Sequence, residues 1–133
     1  MEHQRISTGS PWELIIGYSR AVRVGSQVWV SGTAPAWPDG SIDPDPAHQA
    51  RQAFETINHA LIEAGGSLRD VVRTRIFLTN AADFDAISTV HGELFSETRP
   101  ANTTVVVAAL LNTGWKVEIE VDAVIASRDR VGG

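Results

Sequence analysis

The stretch 98-TRPANTTVVVAALLNTGWKVEIEVDAVIA-126 decides how the rest of the chain must fold. It reads as two strands around a bend. Residues 103–107 are a run of β-branched side chains, and residues 116–125 alternate strictly. Val117, Ile119, Val121, Ala123 and Ile125 fall on one face; Lys116, Glu118, Glu120, Asp122 and Val124 fall on the other. Alternation of this length marks a strand with one apolar face on a core. The opposite face stacks carboxylates at a spacing of about 6.8 Å. Like charges that close repel unless water or a basic group offsets them, so this face is a wet surface or one wall of a polar pocket.

Working outward, residues 71–78 form a further strand, with Thr74, Ile76 and Leu78 opposite Arg73, Arg75 and Phe77. Residues 21–24 and 27–31 flank Gly25-Ser26, a pair suited to a two-residue turn, and predict a hairpin with Val28 and Val30 on one face. Arg5-Ile6-Ser7 suits a short edge strand, Trp12 is expected to pack, and residues 13–17 read as irregular or extended. The proline-rich segment 36–46 is a loop. Asp45 before Pro46 predicts a helix start. The helix covers about 46–64, with Ala50, Phe54, Ile57 and Leu61 in its apolar stripe, and Gly65-Gly66 stops it. A second helix covers about 82–95, with Phe84, Ile87, His91, Leu94 and Phe95 inward. Residues 127–133 read as a frayed tail. The order β-β-β-α-β-α-β-β predicts an α+β domain: one mixed sheet with both helices on one face.

The 133 residues fit a single domain spanning 1–133, and 43% hydrophobic content supports a core. A net charge of -5 gives no basic footprint, so nucleic acid is not favoured as a partner. Cysteine is absent, which excludes disulfides, thiolate nucleophiles and sulfur-ligated zinc. Neither a signal-peptide core nor a membrane-length apolar run is visible, so a cytoplasmic protein without a membrane partner is expected. No P-loop, dinucleotide fingerprint, nucleophile elbow or zincin motif is present. His48 and His59 are too far apart on one helix to share a metal and His91 stands alone, so no metal site is expected.

Pro100-Ala101, Thr103-Thr104-Val105 and Lys116-Val117-Glu118-Ile119-Glu120 resemble the C-terminal signature of the Rid family, also called YjgF or L-PSP. Gly17-Tyr18, Val30-Ser31-Gly32, Gln49-Ala50-Arg51-Gln52-Ala53 and Val72-Arg73-Thr74 extend the resemblance over about residues 17–126. It implies a chorismate-mutase-like fold of the bacillar type. It also implies homotrimers with the sheets facing inward and ligand clefts between subunits. Burial between copies would suit Trp29 and Phe77, large groups on faces that also carry polar residues. The implied activity is hydrolysis of small reactive enamines and imines, such as 2-aminoacrylate, with no cofactor. By position, the resemblance makes Tyr18 a cleft wall and Ser31 and Gly32 main-chain contacts. Ser88 and His91 would face the cleft, and Glu120 would be the acid/base or water-positioning carboxylate. Alternation alone would also place Glu120 on a plain polar strand face.

Members of that family typically carry Arg directly after the Pro-Ala pair, where it clamps the substrate carboxylate. Here the position is Asn102. A neutral amide lacks the charge, and charge-assisted hydrogen bonds are roughly twice as strong as neutral ones. Arg99, Arg75 and Arg20 are candidate replacements. Arg75, on a strand, either meets a ligand or neutralises Glu118 or Glu120, and the second reading is favoured. Three functions remain: an imine or enamine hydrolase with specificity altered by Asn102, a trimer that binds a metabolite without turnover, and an endoribonuclease, a label some L-PSP members carry. The charge and the histidine spacing do not support the last.

Overall fold

The alternating strand at 117–124 lies inside the sheet, between two neighbours. The computed structural model describes residues 1–126. In chain order it contains β1 (His3–Ile6), β2 (Ala21–Val24), β3 (Gln27–Thr33), α1 (Pro46–Glu63), β4 (Val71–Leu78), α2 (Phe84–Phe95), β5 (Ala101–Val106) and β6 (Val117–Val124). The strands form one sheet in the order β1-β2-β3-β6-β4-β5. β4 and β5 run parallel, joined through α2, and the other neighbours are antiparallel. This is the mixed α+β architecture that the element order predicts.

The alternation in β6 sorts its side chains as expected. Val117, Ile119 and Val121 are fully buried under the helices, together with Val28, Ile76 and Leu78 from the flanking strands. α1 packs across β3 and β6, and α2 packs beside α1. Phe54 of α1 and Phe95 of α2 meet edge-on, with ring centroids 5.4 Å apart. Among the described residues no layer covers the carboxylate side of β6, and Trp29 on that side is 44% exposed.

α1 begins and ends as its sequence dictates. Asp45 accepts a hydrogen bond from the His48 N–H at 3.1 Å, with Pro46 at the first helical position. Gly65 closes the helix with φ of 96°, a conformation that favours glycine, while the Gly66 N–H returns to the Leu61 carbonyl at 2.8 Å. One polar residue of α1 is completely buried. Gln49 donates to the carbonyls of Asp43 and Gly114 at 2.8 and 3.0 Å and accepts from the Lys116 N–H at 2.8 Å. It ties two loops to the helix.

Several local expectations are corrected. Residues 13–17 are neither irregular nor extended: Glu13–Gly17 forms a π-helical turn. The buried Glu13 carboxylate accepts from both the N–H and the hydroxyl of Thr8, at 3.1 and 2.7 Å. Holding Glu13 inward leaves Trp12, expected to pack, exposed beside exposed Leu14, Ile15 and Ile16. α2 starts at Phe84, after a 3-10 turn at Ala81–Asp83 capped by Asn80. Its inner line runs through Ile87, Val90 and Phe95, so Phe84 and Leu94 are exposed rather than inward. β5 starts at Ala101 rather than 103, because it pairs in parallel with β4 from Arg73 onward. The tail 127–133 lies outside the described residues.

Candidate functional site

Period-2 geometry puts Arg75, Glu120 and Asp122 on the open face, where Arg75 and Glu120 are direct register partners. Arg75 Nη1 lies 3.4 Å from Glu120 Oε1 and 3.2 Å from Asp122 Oδ2. One guanidinium thus bridges two carboxylates, and the repulsion along β6 is relieved within the chain. Arg75 is engaged as a neutralising partner, to Glu120 as anticipated and to Asp122 in addition.

Glu118 stands apart from that cluster. It makes no ion pair within 4 Å among the described residues. β3 breaks register between Val30 and Thr33, and Gly32 sits in that irregularity. A Cβ on Gly32 would lie 2.7 Å from Glu118 Oε2, so the carboxylate rests against bare backbone. Burial pushes the Glu118 carboxyl above the ordinary carboxylate range; nearby Arg20 opposes the rise and the Glu120 charge adds to it.

Arg20 completes this corner. Its Nη2 donates to the Gly32 carbonyl at 2.6 Å, and its guanidinium lies 5.7 Å from the centroid of the Tyr18 ring. Burial lowers the Arg20 proton affinity, while Tyr18, Glu13 and Glu118 act to raise it. Its Nε is buried without a hydrogen-bond partner among the described residues. Such an orphaned donor costs about 1–3 kcal/mol. The Ser31 hydroxyl donates to the Ser19 carbonyl at 2.7 Å, which fixes the strand against the Tyr18 segment. A cavity of about 730 Å³ lies on the α1 side of Arg20, between Tyr18, Thr33, Trp37, Trp115 and the α1 residues Thr56 and His59, and its lining does not include Glu118.

Replacing Gly32 tests this corner. In Gly32→Ala the new methyl meets the far end of a flexible side chain, so Glu118 moves and the fold stays. We expect a melting temperature within a few degrees of wild type and a catalytic or ligand-binding loss of tenfold or more. Unchanged activity would show that the Glu118 position is irrelevant.

The remaining predicted residues lie elsewhere. Thr74 is fully buried on the helix face and lies 2.8 Å from His91 Nε2. The Asn102 amide donates to Thr74 Oγ1 at 2.9 Å, and the Thr104 hydroxyl donates to Asn102 Oδ1 at 3.0 Å. Burial lowers the His91 pKa, and which partner donates in the Thr74–His91 hydrogen bond follows the ring tautomer. Asn102 therefore pairs in register with Thr74 on one face, while Glu118 and Glu120 occupy the other. A single chain brings Tyr18, Arg20, Ser31, Gly32 and Glu118 to one corner. It does not bring Asn102 or His91 to that corner. Ser88 donates its hydroxyl to the Phe84 carbonyl on its own helix. Glu118 was masked in the sequence by its equivalence to Glu120 on the same face; the irregularity at Gly32 is what separates them. Among the described residues no cluster of three or more His, Cys, Asp or Glu could hold a metal, and no helix is long and apolar enough to cross a membrane.

Residues 10–125 match the family described as Endoribonuclease L-PSP. The chain is similar to the crystal structure of Rv2704 from Mycobacterium tuberculosis, a member of the YjgF/YER057c/UK114 family. The two are 41% identical with a TM-score of 0.87, and the match covers 93% of this chain and all of that one. An uncharacterized protein of Streptomyces coelicolor is 38% identical over 121 residues, 90% of each chain. The 3-aminoacrylate deaminase RutC of Acinetobacter baylyi is 43% identical over 86 residues, 63% of this chain and 68% of its own.

Proposed function

This chain belongs to the Endoribonuclease L-PSP family, also named YjgF and Rid, and we propose that it hydrolyses small reactive imines and enamines at the Glu118 corner. The observation that carries the reading is the state of Glu118: a half-buried carboxyl, raised by burial, with no ion-pair partner among the described residues and bare backbone beside it. Glu118 rather than Glu120 is then the proton-transfer group, since Glu120 is tied to Arg75. An enamine takes a proton at carbon to become an iminium ion. Water adds to the C=N carbon, and the carbinolamine expels ammonia to leave a ketone. A carboxyl whose proton affinity burial raises serves both steps, as acid toward the enamine and then as base toward water. RutC, named for deamination of 3-aminoacrylate, supports the same reaction class.

The proposed assembly is a homotrimer with the open sheet faces inward. Exposed Trp29 on that face, and Leu14, Ile15 and Ile16 at the turn before β2, support it. In one chain Asn102 and Glu118 face opposite ways, so they share a cleft only if a neighbouring copy supplies one of them. Asn102 would then alter how substrate is held relative to Arg-bearing relatives. The test adds purified protein to a system generating 2-aminoacrylate, and to neutral imines, and follows ammonia release. Acceleration is expected, together with a solution mass three times that of the 14.3 kDa chain. No acceleration across the panel overturns the hydrolase. A metabolite-binding trimer without turnover is the second reading, favoured by Asn102 being held by Thr74 and Thr104. Ligand stabilisation without ammonia release would establish it.

A further inference from the structure

We propose that the cavity between α1 and the segment 33–38 is a second binding site, separate from the Glu118 corner, and that its ligand is a small aromatic amine carrying a positive charge. The inference goes beyond the hydrolase reading and does not depend on it, since Glu118 is not in the lining.

The walls point to the ring. Trp12, Trp37 and Trp115, three of the four tryptophans of the chain, line the cavity together with Tyr18, its single tyrosine. None of them belongs to the core: Trp37 and Trp115 are half-buried and Trp12 is 59% exposed. Flat aromatic surface left partly in water favours an occupant that stacks on it. The walls are also fastened. Gln52 of α1 donates to the Ala36 carbonyl at 2.8 Å, next to Trp37. Gln49 of α1 holds the Gly114 carbonyl and the Lys116 N–H, on either side of Trp115. The space between the two loops is therefore fixed by α1.

The charges point to the amine. α1 presents Glu55, His59 and Glu63 to the cavity, and a spacing of four residues puts them in one row along the helix. Neither carboxylate of that row has an ion-pair partner among the described residues. Arg20 is the one lysine or arginine in the lining among the described residues. The charges of Glu13 and Glu118 act on it, and the Tyr18 ring lies beside its guanidinium. The field left in the cavity is that of Glu55 and Glu63, and the faces of tryptophan rings attract cations as well. An ammonium on an aromatic framework meets both.

The alternative is that the tryptophans only cover α1 and bind nothing. Calorimetric titration separates the two with tryptamine, with 3-indolepropionate, which has the same ring on a side chain ending in a carboxylate, and with butylamine, which has the charge without the ring. We expect wild type to bind tryptamine about tenfold more tightly than either. Glu55→Gln combined with Glu63→Gln should remove the preference for the amine over the acid. Both side chains are exposed and without ion pairs among the described residues, so the fold should persist. Trp37→Ala should weaken tryptamine and leave butylamine unchanged; the carboxylate variant carries the test if Trp37→Ala does not fold. No binding of tryptamine, equal binding of amine and acid, or a preference that survives the carboxylate variant overturns the inference.

The Glu118 corner is read separately. Glu118→Gln should bind tryptamine as wild type does; loss of binding there would put the ligand at the Glu118 corner and overturn the inference. The Glu55→Gln, Glu63→Gln protein should release ammonia from imines at the wild-type rate. A protein that binds tryptamine through Glu55 and Glu63 but hydrolyses no imine keeps this inference and loses the hydrolase.

Discussion

Glu118→Gln should abolish imine hydrolysis and at the same time raise the melting temperature at neutral pH. The catalytic half follows from losing the group that donates and then accepts a proton, a contribution of about 10²–10⁴ in rate. The stability half follows from linkage. The folded protein holds the Glu118 carboxyl above its ordinary value of 4.5, chiefly by burial, so folding disfavours the charged form. Its contribution to stability is fully present below the ordinary value and is lost as pH rises through the raised folded one. At pH 7 the charged group is therefore a liability that the neutral amide removes. The gain in melting temperature should shrink as the pH falls into and below the ordinary carboxylate range. Glu120→Gln should behave differently: Arg75 loses one of its two carboxylates, stability falls slightly, and turnover persists. If Glu120→Gln is the inactive variant and Glu118→Gln is active, the two assignments exchange places.

Gln49→Leu should cost about 3–9 kcal/mol of folding stability, a large part of the roughly 5–15 kcal/mol typical of a domain. The volume hardly changes, so the loss is not a cavity effect. Leucine leaves the carbonyls of Asp43 and Gly114 and the N–H of Lys116 without the fully buried amide that now pairs with them. Each such group costs about 1–3 kcal/mol. Urea unfolding measures the change directly. A loss below about 1 kcal/mol would mean that water takes over the three bonds. The loops released flank Trp115, a wall of the cavity, so ligand binding should weaken in the same variant.

The architecture was readable because β6 alternates over its whole length and β4 does so from Arg73 onward; β4 has the expected bounds, and β6 falls one residue short of them at each end. The start of α1 was readable for a separate reason: Asp45 and Pro46 specify a cap chemically. Period-2 patterning assigns a face to each side chain but does not say which strands become neighbours. That Asn102 pairs with buried Thr74, away from the carboxylates, depends on β5 lying parallel to β4 at an edge. The difference between Glu118 and Glu120 was hidden for the same reason. Both are glutamates on one face of one strand; Arg75 opposite one and the break at Gly32 beside the other make them unlike. Gln49 could be placed on α1 but not in the core, since its partners are backbone groups of loops distant in sequence.

β5 has a strand on one side only among the described residues, and its outward row of N–H and C=O groups is accompanied by exposed Val105 and Val106. An edge of that kind accepts any extended segment that reaches it. If the proposed trimer covers this edge, a newly made chain faces a race between ordered assembly and fibrous stacking, and its solubility should depend on how soon sister chains arrive.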